Sequence, residues 1–111
     1  MRPLRFKFRG TGQQEASFET DAGERARVIG SLGFTTVGTL LPIGVQAISD
    51  GRAAVIDLAG VTASDSSGLA LLIEWLSAAK AASRALRYEN LPAQLQQLAR
   101  LSEVEELLIP N

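Results

Sequence analysis

The segment TASDSSGLALLIEWL, residues 62–76, gathers the residues best placed to do chemistry. Asp65, Ser66, Ser67 and Gly68 stand together, directly before a strongly apolar run. Such a cluster fits a nucleophilic serine, a phosphate-binding turn, a phosphorylation switch or a plain helix start. The nucleophile lacks partners. The chain has no His and no Cys, so neither a Ser-His-Asp triad nor a thiol nucleophile can be built. DSSG also lacks the first Gly of the G-x-S-x-G elbow, and nothing matches the G-x-x-x-x-G-K-[ST] phosphate loop. The same two absences remove disulfides and Cys/His zinc sites. No catalytic residue, metal or cofactor is expected.

Two readings of the cluster stay open. In the structural one, the hydroxyl of Ser66 or Ser67 caps a helix by accepting a free backbone N–H. Asp65 then places negative charge near the positive end of the helix dipole, and Gly68 permits close packing where strand meets helix. In the functional one, a helix N-terminus after a parallel strand favours anions. A phosphoryl group on Ser66 would add about −1.5 to −2 charges to a surface point, enough to make or break a docking surface.

The helix itself carries two apolar stripes. Leu69, Leu72, Ile73 and Leu76 form one; Leu71, Trp75, Ala78 and Ala82 form a second beside it. A surface helix needs only one. Either neighbouring helices cover the second stripe, or it meets a partner. Leu71 and Trp75, the sole Trp, are therefore partner-contact candidates.

Around this cluster the sequence predicts the elements that must position it. Residues 4–9 alternate apolar and basic, a strand period, and GTGQQ (10–14) reads as a turn. Residues 16–20 and 25–32 read as strands joined by the turn DAGE (21–24). Helical spacing marks 35–49, with Thr35 or Thr36 as cap and with Pro42 expected to kink or break it. The unalternating run AAVIDLAGV (53–61) predicts a central parallel strand buried on both faces. The quoted helix reaches about residue 82, and ALRYEN (85–90) follows as a strand. PAQLQQLARL (92–101) is a helix with Pro92 near its start and a buried stripe of Leu91, Leu95, Leu98 and Leu101. SEVE (102–105) is a capping-box pattern announcing one more turn. The order β-β-α-β-α-β-α predicts an α/β fold: a mixed, mostly parallel sheet with helices packed on it.

At 111 residues, 46% hydrophobic and 21% charged, the chain fits one small folded domain. Its formal net charge of −1 gives no global field for nucleic acid or an anionic membrane. No apolar stretch approaches the roughly 20 residues of a membrane span, and MRPLRFKFRG has no apolar signal core. The expectation is a soluble, intracellular protein.

The strand AVIDLAGV followed by SDSSGLALL, then a strand and an apolar helix, resembles the STAS domain. The resemblance covers about residues 16–109. It implies the STAS fold for 16–111, with 1–15 as a basic N-terminal strand or arm: a solvated edge, a mobile arm, or a contact to an acidic partner. In that family the Ser or Thr after the Asp is the phosphorylation or partner-control position, which maps to Ser66. SGLALLIEWLSAAK and NLPAQLQQLARLSEVEELL look most like the MlaB branch, the small STAS subunits of Mla phospholipid-transport ABC complexes. That branch often has Thr where Ser66 stands. The resemblance implies a non-enzymatic, cytoplasmic subunit. It would bind an MlaF-like ATPase and through it the inner-membrane permease, supporting outer-membrane lipid asymmetry, without nucleic acid and without inserting into the membrane. Together with the second apolar stripe, the resemblance gives the expected partner-binding set Asp65, Ser66, Ser67, Gly68, Leu71 and Trp75. The alternative within the family is an anti-sigma factor antagonist switched by phosphorylation at Ser66.

Overall fold

The computed structural model describes the backbone of residues 5–9 and the whole of residues 15–108. Residues 1–4 and 10–14, within the basic N-terminal segment and its turn, lie outside the described residues, as do 109–111. Nine elements follow in order: β1 (Arg5–Arg9), β2 (Glu15–Asp21), β3 (Arg25–Leu32), α1 (Val37–Ser49), β4 (Val55–Ser64), α2 (Ser66–Ala81), β5 (Arg87–Glu89), α3 (Ala93–Leu101) and α4 (Glu105–Leu108). From β2 to α3 this is the β-β-α-β-α-β-α order expected. The five strands lie side by side in sequence order. β1, β2 and β3 are antiparallel neighbours, and β3, β4 and β5 are parallel. Helical crossovers join the parallel strands, as parallel pairing requires.

Side chains of one sheet face enter a single apolar core. Ala16, Phe18, Ala26, Val28, Ile56 and Leu58 meet Leu40, Leu72, Trp75 and Leu95 from the helices. The other face carries a row of charged residues. In register across it lie Glu19, Arg27, Asp57 and Glu89. Arg27 pairs with Glu19 at 3.1 Å, Glu89 pairs with Arg25 and Arg87, and the Asn90 amide donates to Asp57 at 2.9 Å. The Asn90 bond holds the Asp57 carboxyl below its ordinary range, and Arg25 does the same for Glu89. β4 is thus central and parallel, but its burial on both faces is corrected: Asp57 is half-buried and Ala59 exposed. Helices cover only one side of it.

Three further expectations change. α1 runs unbroken through Pro42. The bond Pro42 cannot donate would go to the Gly38 carbonyl, and both residues are exposed, so no core contact is lost. Leu101 is 82% exposed rather than buried. Steps of three residues lag about 60° per step on a helix, so Leu101 sits about 120° from Leu95; Ala99 takes the core position instead. SEVE forms no capping box: Ser102 is the C-cap of α3, and the next turn starts at Glu105. Of the two readings of the second α2 stripe, cover by a neighbouring helix holds: Trp75 and Leu71 are 0% and 3% exposed. α1 covers them. Gly44 leaves the slot for the indole, where a Cβ would collide with the ring. The Trp75 Nε1–H donates to the Leu41 carbonyl at 3.1 Å, and its ring meets Phe18 edge-on at 5.5 Å.

Candidate functional site

The C-terminal ends of β3 and β4 deliver two loops to one place. Asp65 holds them together. It is the N-cap of α2, with extended backbone (φ −134°, ψ −167°). Its Oδ1 accepts the N–H groups of Ser67 at 2.8 Å and Gly68 at 3.3 Å. Its Oδ2 accepts the Phe34 N–H at 3.3 Å from the β3–α1 loop. The cap is therefore Asp65, not Ser66 or Ser67, which open the helix. A carboxylate one residue upstream reaches the first-turn amides and leaves the hydroxyls uncommitted to capping. Gly68 is buried, and a Cβ there would come 2.6 Å from the Leu32 carbonyl, so α2 starts hard against the end of β3.

The partner loop is equally fixed. Thr36 stands at the N-cap of α1 without capping it. Its buried hydroxyl donates to the Ser31 carbonyl at 2.8 Å and accepts the Gly33 N–H at 3.1 Å. Phe34 is held out from this loop, 76% exposed. Between α1 and α2 runs a groove of about 260 Å3 lined by Val37, Leu41, Ala70 and Leu71, with Ser67 and Glu74 on its wall.

The sequence-derived residues divide accordingly. Asp65 is the clamp, Ser66 is exposed at the first helical position, Ser67 lines the groove and Gly68 is buried beneath. Leu71 forms the groove floor, and Trp75 belongs to the core. Phe34, Val37 and Leu41 were not foreseen. Phe34 sits in a turn, outside any periodic pattern, and only an aromatic in GFTT hints at it.

The arrangement limits the chemistry. Asp65 already takes two first-turn amides, so a phosphoryl group on Ser66 would not use them and would face a like charge. It would act as added surface charge. Among the described residues no group of three His, Cys, Asp or Glu could hold a metal. Tyr88 is no acid–base group: burial pushes its hydroxyl well above the usual range, and it donates to the Leu72 carbonyl at 2.6 Å. No described helix is long and apolar enough to cross a membrane.

A family model described as "Mlab, STAS domain" matches residues 19–110. The chain belongs to the STAS domain family. No curated protein matches this STAS chain by sequence. Among solved structures it is similar to the anti-sigma factor antagonist SpoIIAA in its unphosphorylated form, at 17% identity and TM-score 0.58, over 83% of this chain and 85% of that one. It is also similar to the Bacillus cell fate determinant SpoIIAA in the phosphorylated form, at 17% identity and TM-score 0.60, over 83% and 88%. At such identity the likeness establishes the shared fold.

Proposed function

We propose that this STAS chain is a non-enzymatic binding subunit of an ABC-type phospholipid transporter of the Mla kind, docking on the cytoplasmic, MlaF-like ATPase at the inner membrane. The observation that carries the reading is one continuous exposed site in a chain of the Mlab-described family. Ser66, the α1–α2 groove and Phe34 adjoin, and one carboxylate clamps them in place. Docking would favour one arrangement of the ATPase by as much as the subunit's affinity differs between arrangements.

The test is pull-down of the ATPase by the purified chain. Ser66→Arg should abolish capture while leaving the unfolding midpoint unchanged, because Ser66 is exposed and Asp65, not its hydroxyl, caps the helix. Normal capture by a folded Ser66→Arg protein would remove the site. The exposed Ser66 hydroxyl also suits a second reading, an antagonist released from its partner by phosphorylation. A kinase-like partner with phosphate found on Ser66 would select it.

A further inference from the structure

We infer that the α1–α2 groove seats a short segment of the ATPase that brings an apolar side chain to its floor and a Lys or Arg to Glu74, with Phe34 of the adjoining β3–α1 loop as a second anchor. The inference rests on the transporter reading and adds the chemistry of what docks.

The groove, of about 260 Å3, has a lining that suits the side chains of a protein. Its floor and sides are apolar, from Val37, Leu41, Ala70 and Leu71. A Cβ added at Gly38 would meet nothing, so the mouth is open. Charge decides the sign of the occupant. Glu74 is exposed on the wall and forms no ion pair among the described residues. The first-turn amides that could have greeted an anion, those of Ser67 and Gly68, are occupied by Asp65. A lipid phosphate or a nucleotide would meet the Glu74 carboxylate and neither of those donors. A basic, apolar segment meets a charge partner and a dry floor. Phe34 is 76% exposed on a backbone already pinned by Asp65, so engaging it orders little that is not ordered already. An exposed aromatic, on a loop that Asp65 ties to the groove-lining Ser67, is the kind of residue that dominates interface energies.

The test is the affinity of the full chain for the ATPase subunit by calorimetry, across a salt series, with unfolding midpoints as the folding control. Glu74→Lys should weaken binding about 30-fold, and Phe34→Ala about tenfold. Binding by the wild type should fall with salt, and Glu74→Gln should flatten that dependence. Wild-type affinity in Glu74→Lys and Phe34→Ala, with Ser66→Arg still blocking, overturns the groove and leaves the transporter reading standing. An unchanged salt slope in Glu74→Gln overturns the basic occupant. No complex with the wild-type chain overturns both.

Discussion

The first turn of α2 and its middle lie on one helix and do opposite work. At the start, Ser66 is exposed and makes no contact that the fold needs. Nine residues on, Trp75 is wholly buried, slotted over Gly44 and bonded to the Leu41 carbonyl. Both were candidates for meeting a partner, since both stand in the stretch that looks over-equipped for a simple amphipathic helix. Burial separates them. The apolar surplus of α2 is absorbed by α1, and what remains for a partner is the polar turn together with the part of the α1–α2 seam left unfilled. An apolar stripe therefore marks a contact without saying whose.

Substitutions can break that contrast or sharpen it. The largest expected effect is at the middle. Trp75→Ala removes the indole from a closed slot and orphans its bond to Leu41, so urea unfolding should show a loss of about 3–5 kcal/mol. A loss below about 1 kcal/mol, the scale of ordinary surface changes, would mean that the indole is not core and would return the stripe to the surface. Next comes the clamp. Asp65→Ala removes the cap of α2, which should cost about 1 kcal/mol. It also frees the Phe34 N–H, so hydrogen exchange at Phe34 should quicken along with that at Ser67 and Gly68. Unchanged exchange at Phe34 would mean the two loops are not tied through this carboxylate. Smallest is Ser66→Ala, whose unfolding free energy should change by no more than about 0.5 kcal/mol, as for a surface site. A larger loss would make Ser66 a structural residue and end the contrast.

Much of the architecture was legible because periodicity and turn chemistry are local. Alternation marked the antiparallel strands, and DAGE marked the turn between β2 and β3, where Gly23 and Glu24 adopt positive φ (76° and 61°). The failures share a cause. Pro42 was expected to kink or break α1, yet the helix continues through it because its ring lies on the exposed side, and a pattern alone does not say which side that is. The unalternating run of β4 was read as doubly buried, whereas Asp57 and Ala59 face the uncovered side of the sheet. The Leu spacing of α3 was extended one step too far, to Leu101. Ser102 had the right type for an N-cap, but the preceding helix used it as its end.

The site shows the same division. The order Asp-Ser-Ser-Gly before an apolar run determined that a helix begins there, that negative charge lies at its start and that a hydroxyl is available beside it. Those consequences follow from backbone geometry within a few residues. That Asp65 rather than a serine caps the helix, that its second oxygen reaches Phe34 more than thirty residues away, and that Gly44 admits Trp75 were decided by packing. Each depends on which elements become neighbours, and neighbours are set by the whole core, where residues far apart in the chain compete for the same apolar space.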